Sequence, residues 1–323
     1  MIRKHIKQIS SAVLAAAFAL LAVAVPVHAD EVANKGAKIG VSPITEKVSL
    51  NPGDKYTGTF KVLNASENDM EFNYNVYATP FQVKDKDYSA DFSTEGNYTK
   101  LSKWITFSKD SGTLKAGEKE EITYTITVPN DVPAGGQYAA IMAEIANNEE
   151  SPVQTTSRAA LTILAHIAGE TRREGSILEN NVPSFIFGGN KLTTTSLVNN
   201  KGNIDEEATY TVKIFPFGSS EEVYTNEEDP ETRNILPESE RSNSFIWDET
   251  PQLGLYTVEQ TINYLGQVST TSKLVLICPI WLLVIFIALI FAIIFTIVSR
   301  IRARKGSNGR SSARDEKRES RED

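Results

Sequence analysis

From Leu274 to Val298 the chain runs for 25 residues without a charged side chain. At about 1.5 Å per residue a helix of that length reaches roughly 37 Å, more than the roughly 30 Å of hydrocarbon in a bilayer. A buried core helix of that length with no polar face would be unusual, and this run has none. It therefore reads as a membrane span over residues 274–298, with Trp281 near its outer end, where an amphipathic ring sits well. Arg300, Arg302, Arg304 and Lys305 crowd one flank, against Lys273 on the other. That asymmetry places the C-terminus in the cytoplasm. Residues 299–323 mix charge with Ser and Gly and are expected to form a disordered basic tail.

The N-terminus fits the same topology. Arg3, Lys4 and Lys7 precede an apolar stretch from Val13 to Val25, and Val27-His28-Ala29 supplies small or tolerated residues before a cut. This is the order of a secretory signal, residues 1–29, with Asp30 as the mature start. The expectation is a single-pass cell-membrane protein whose N-terminal domains lie outside.

Residues 30–273 carry 36 acidic and 21 basic side chains, a net of about −15. Such a surface disfavours nucleic acid or anionic lipid as its ligand. The only cysteine, Cys278, falls inside the apolar run. The outer part therefore has no disulfide and must fold on apolar burial alone, which points to a bacterial envelope.

Its pattern is β throughout. Tyr56, Phe60 and Val62 share one face of an alternating run, as do Phe72, Tyr74 and Val76, and later Ile122, Tyr124, Ile126 and Val128. Leu161, Ile163, Ala165 and Ile167 repeat the pattern, followed by Tyr210, Val212 and Ile214, then Tyr256, Val258, Ile262 and Tyr264. Period-two alternation predicts half-buried antiparallel strands, and Gly, Pro, Asn and Asp mark the turns. An internal repeat organises them. Leu114-Lys115-Ala116-Gly117-Glu118 matches Leu236-Pro237-Glu238-Ser239-Glu240, and Pro133, Gly136 and Tyr138 recur in the spacing of Pro251, Gly254 and Tyr256. Val62-Leu63-Asn64 likewise matches Leu197-Val198-Asn199. The expected fold is all-β: two tandem immunoglobulin-like sandwiches, residues 30–170 and 171–273, then one transmembrane helix. Gly136-x-Tyr138 and Gly254-x-Tyr256 read as structural, each tyrosine a corner that buries its ring and bonds nearby backbone.

Catalytic chemistry is hard to find. His166 is the only histidine after the signal, it sits in an apolar strand, and no nucleophile elbow or phosphate loop is present. Asp85, Asp87 and Asp91 miss the calcium-loop pattern, with Gly96 where the closing Glu belongs. Catalytic residues, metal ligands and cofactors are therefore all expected to be absent. The informative segment lies before Leu114, where Tyr88, Phe92, Tyr98 and Trp104 stand among Asp, Ser, Asn and Lys. Aromatics in that company can stack on sugars or anchor a protein. These four are the candidate ligand-binding residues, with core packing the alternative above all for Trp104.

Val41-Ser42-Pro43, Leu50-Asn51-Pro52-Gly53, Val62-Leu63-Asn64, Leu114-Lys115-Ala116-Gly117-Glu118, Val128-Pro129 and Gly135-Gly136-Gln137-Tyr138 occur in that order. With the span and the basic tail, this arrangement resembles the bacterial WxL-interacting protein family. The resemblance implies a peptidoglycan-binding first domain, a host-binding second domain and a membrane anchor. The expected function is a non-catalytic surface protein that binds cell wall peptidoglycan, partner surface proteins or both, without nucleic acid. The alternative is an assembly module that pairs strand edges without carbohydrate affinity. A wall hydrolase ranks third.

Overall fold

Alternating apolar residues can be buried only if each strand lays one face on a second sheet, and this chain satisfies that requirement twice. The structure is a computed structural model that describes residues 37–66, 70–146 and 157–319, with side chains as far as Ile301. The expected signal peptide, residues 1–29, lies outside the described residues.

The first sandwich is built from β1 (Ile39–Ser42), β2 (Thr45–Leu50), β3 (Lys55–Asn64), β4 (Phe72–Pro80), β5 (Gln82–Val83), β6 (Ala90–Asp91), β7 (Ile105–Phe107), β8 (Ser111–Leu114), β9 (Lys119–Thr127), β10 (Gly135–Ile145) and β11 (Arg158–Ile167). One sheet has the order β1-β3-β9-β7 and the other β2-β11-β10-β4-β8. Phe60, Val62, Tyr74, Ile122, Tyr124 and Ile163 fill the space between them. At Pro43, which cannot donate to a ladder, the chain leaves its antiparallel place beside β3 and runs on parallel to β11. The β5–β6 hairpin and a 3-10 turn over Lys100–Trp104 form an insertion between β4 and β7.

The second sandwich repeats this circuit with β12 (Gly175–Asn181), β13 (Phe185–Phe187), β14 (Leu192–Asn200), β15 (Glu206–Pro216), β16 (Tyr224–Thr225), β17 (Glu231–Ile235), β18 (Ser239–Trp247), β19 (Gly254–Tyr264) and β20 (Gln267–Cys278). β12 is antiparallel to β14, and β13 then runs parallel to β20. The sheets are β12-β14-β18 and β13-β20-β19-β15, with β16 and β17 both on the outer side of β15. Two immunoglobulin-like sandwiches in series are thus the fold, as their alternating strands require.

The repeat is present, but its register differs by one residue from the sequence match. Asn64 Nδ2 donates to the carbonyls of Met70 (2.7 Å) and Leu114 (3.0 Å), and its Oδ1 accepts from Ser66 N. Asn200, not Asn199, does the same in the second sandwich, with Ile204 and Ile235 carbonyls at 2.8 Å and Gly202 N on its Oδ1. Leu114 therefore corresponds to Ile235, and Gly117 (φ +77°) to Glu238 (φ +55°). Tyr138 and Tyr256 differ too. Ala139, Ile141 and Ala143 face the first core, so Tyr138 lies on the outer face of β10, whereas Tyr256 packs into the second core against Trp247. In a strand, a slip of one residue exchanges the two faces.

The apolar run 274–298 also divides. Residues 274–278 belong to β20, where Val275 and Ile277 are buried in the second core, and the helix α1 (Ile280–Glu319) starts after Pro279. Ile280–Ile301, mean hydropathy 3.2, is the part long and apolar enough to cross a membrane. A strand with one buried face and an apolar outer face reads the same as the start of a span, so composition alone merged them. The helix continues to Glu319 instead of ending in a disordered tail at Ser299, since an existing helix adds a hydrogen bond for each residue it extends.

Replacing Asn64 or Asn200 by alanine strands one buried and one part-buried carbonyl. Each change should cost about 1–3 kcal/mol, read as a lower urea midpoint for unfolding, and Asn199→Ala should cost less than Asn200→Ala.

Candidate functional site

Where the two sandwiches meet, polar groups are buried in unusual density. β10 is buried on both faces from Gly135 to Ala143. Tyr138 projects from its outer face, beside Leu164 of β11 and Leu236 of the loop before β18. Its hydroxyl donates to Asp205 Oδ1 (2.8 Å) and accepts from Asp205 N (2.9 Å). His166 Nε2 lies 2.6 Å from the same carboxylate oxygen. Asp205 is only 2% exposed at its side chain. Burial alone would raise its pKa. The hydrogen bond and charge of His166, with the Tyr138 hydroxyl and Asn234, outweigh that and hold it below the ordinary carboxylate value. The Tyr138 hydroxyl is pushed far up by burial and by Asp205. So Tyr138 is structural, but as a bond between sandwiches and not as a corner within one.

Gly136 makes this possible. Residues i and i+2 share a face, and a Cβ on Gly136 would lie 1.9 Å from the Tyr138 hydroxyl oxygen. Gly254 serves Tyr256 in the same way, at 2.4 Å from its ring. Gly136 N also donates to Asn203 O of the second sandwich at 2.7 Å.

The insertion is a strut in the same junction. Tyr88, in a left-handed backbone conformation (φ +65°), accepts Leu236 N at its hydroxyl and carries the Arg241 guanidinium 3.9 Å above its ring. Burial raises the Tyr88 pKa and lowers that of Arg241. Lys86 O and Asp87 Oδ1 both bind Ser242 of β18. Tyr98 O accepts Tyr138 N (2.6 Å), and its hydroxyl reaches Glu238 (3.2 Å). Phe92 stacks on Phe81 at 5.8 Å, and Trp104 packs on the first core. The four candidate aromatics are thus half-buried rather than displayed. Tyr98 lines a cleft of about 280 Å³ shared with Phe81, Gln82, Asn97, Glu238 and Ser239. On its other side it lines a second hollow with Lys100, Arg172 and Asn203. Of the anchor flank, Arg300 is exposed on α1, and the side chains of Arg302, Arg304 and Lys305 lie outside the described residues.

One edge beside this junction is open. In the first sandwich β7 covers the outer edge of β9. In the second, β17 pairs with β15, and among the described residues β18 has a strand partner only on its β14 side. Ser242 N turns outward to Lys86 O. Strand groups alternate in direction, so the same-parity residues Ser244 and Ile246 also aim their amides and carbonyls away from β14. Ile246 is 51% exposed.

No protein-family model matches this chain, and no curated protein matches it. Solved structures resemble it. A chain of a chaperone–tip adhesin complex of CFA/I fimbriae biogenesis is 16% identical, with 75% of this chain and 100% of that chain covered, at a TM-score of 0.35. The class 5 fimbriae chaperone CfaA is 13% identical over 73% and 99% of the two chains, at 0.35. A chain of the Salmonella enterica SafA pilin–SafB chaperone complex is 10% identical over 76% and 98%, at 0.36. This is a likeness of fold and says nothing of what the present chain binds.

Tyr138→Phe should lower stability by about 1–3 kcal/mol, and Gly136→Ala should cost a similar amount through overpacking, about 1–3 kcal/mol. Both are read from unfolding midpoints. Asp205 contributes stability that is fully present above its unfolded pKa near ~3.9 and lost as pH falls through its lower folded value. Asp205→Asn should therefore flatten the acid limb of a plot of urea midpoint against pH.

Proposed function

We propose that this chain is a non-catalytic, membrane-anchored surface protein that binds a partner protein by accepting a strand on the edge of β18. The observation that carries this reading is the open edge at Ser244 and Ile246, where the first sandwich has a covering strand and the second has none among the described residues. Main-chain hydrogen bonds would supply affinity, and the exposed Ile246 side chain would supply part of the selectivity. The edge is also held in place before binding. Arg241 lies over Tyr88 and Ser242 is pinned by the insertion, so little ordering remains to oppose association. Helix α1 is the proposed anchor, with its Arg300 end in the cytoplasm.

A second reading rests on the cleft at Tyr98. An aromatic ring beside Gln82, Asn97 and Glu238 offers stacking and hydrogen bonds of the kind a wall glycan requires, as the family resemblance implies for the first domain.

The two readings separate in one comparison. Proline at Ser244 removes an outward amide without disturbing the β14 ladder. Ser244→Pro should abolish cross-linking to the partner from the same cell surface and leave sedimentation with isolated wall unchanged. Tyr98→Ala should do the reverse if the glycan reading holds. Partner cross-linking that survives both Ser244→Pro and Ile246→Lys would remove strand addition as the mechanism.

A further inference from the structure

The outer face of the larger sheet in the second sandwich changes character along its length. Outward positions of β19 and β20 far from α1 are Asn263, Thr261, Glu259, Thr270 and Ser272, with Val268 the one apolar side chain among them, 67% exposed beside Asn263. Close to α1 they become Leu255, Leu274 and Leu276, joined by Phe185 and Phe187 of β13. Phe185, Phe187, Leu274 and Leu276 are 39–46% exposed, and the two rings meet edge to face at 5.1 Å. Phe217, whose amide donates to Leu255 O, extends the patch at 65% exposure. The inner neighbours Val275, Ile277 and Ile186 are accounted for by the core. The outer ones are covered by nothing among the described residues.

We infer that this apolar end of the sheet rests in the lipid headgroup zone, so that the second sandwich is seated against the membrane surface and not suspended above it. The inference rests on the reading of α1 as a membrane span. Connectivity is what carries it. β20 passes into α1 through the single residue Pro279. Phe187 is level with Cys278, two residues before the helix, and Phe185 is level with Leu276, four residues before it. At about 3.3 Å per residue these rungs are no more than about 7 and 13 Å from the start of the span. The headgroup zone is about 5–8 Å deep on each side, so Phe187 falls within it or at its rim with β20 upright, and Phe185 with Leu276 enters it once the strand leans. A contiguous apolar cluster at the span end of one face, against a lone Val268 at the other end, is what a lipid surface requires. Trp281, 60% exposed at the first turn of α1, continues the same belt. The face carries no basic cluster, so zwitterionic lipid suffices as the partner.

The test uses the full chain in phosphatidylcholine vesicles, with Cys278→Ser and an environment-sensitive fluorophore on Phe187→Cys or, separately, Leu276→Cys. Asn263→Cys, on the polar end of the same face, is the reference. Emission from positions 187 and 276 should shift to the blue and be mostly lost when the lipid headgroups carry a nitroxide quencher, while position 263 shows neither change. Unshifted, unquenched emission at 187 and 276 from a chain that floats with the vesicles overturns the inference and leaves the anchor standing. A blue shift without lipid quenching also overturns it, since a second copy or another protein then covers the face. A chain that fails to float with the vesicles removes the anchor and this inference together.

Discussion

The buried carboxylate of Asp205 is the group on which the arrangement of the two sandwiches depends. A charged oxygen at 2% exposure is sustained only by full satisfaction, and its partners come from both sides of the boundary. Tyr138 and His166 belong to the last two strands of the first sandwich, while the carboxylate belongs to the loop that opens β15. Neither domain can satisfy this cluster alone, so separating the sandwiches would expose or orphan all three groups at once. The reciprocal pair of bonds between the Tyr138 hydroxyl and Asp205 fixes distance and direction together.

Around that point the insertion of the first sandwich acts as a brace. Tyr88, Tyr98 and the Lys86–Asp87 tip reach three separate places on the second sandwich, Leu236, Glu238 and Ser242. The same brace borders the cleft at Tyr98 and pins one end of the open strand β18. Rigidity and exposure are therefore adjacent: a firm junction presents an edge whose hydrogen-bonding groups are held in extended geometry. At the far end of the same sandwich, β20 runs into α1 with one residue between them, so the position of the edge relative to the helix is set by a strand rather than by a flexible linker.

Much of the fold was legible because apolar residues at period two have one economical arrangement. The inward sets from Phe60 and Val62 through Ile262 and Tyr264 are the residues that fill the cores. The repeat was legible as well, but only to within a residue. Short Gly-Pro-Asn motifs mark turns, and turns tolerate a shift that strand faces do not, which is why Asn200 rather than Asn199 holds the second turn. Of the site, the insertion could be recognised by its aromatics, whereas their role could not. Tyr88 among Asp, Ser and Lys looks displayed until the second sandwich is set against it. His166 looked inert because its partner is 39 residues away. One signal was available: Gly135 to Ala143 is almost unbroken by exposed polar residues, the mark of a strand covered on both faces.

By itself the sequence determined the class: an acidic, disulfide-free pair of strand-built units followed by a helix apolar enough to cross a membrane. Those properties follow from composition and local periodicity, which act over a few residues. Tertiary structure alone decided which face Tyr138 occupies, that Tyr88 and Tyr98 join two sandwiches, and that β18 has no covering strand among the described residues. Each of these depends on which segments meet across long separations in the chain, and pairing of that kind leaves no local trace. The boundary between β20 and α1 shows the same limit. Leu274 to Cys278 is apolar because one face meets the second core and the other, by our inference, meets lipid, and no count of apolar residues distinguishes that from the beginning of a span.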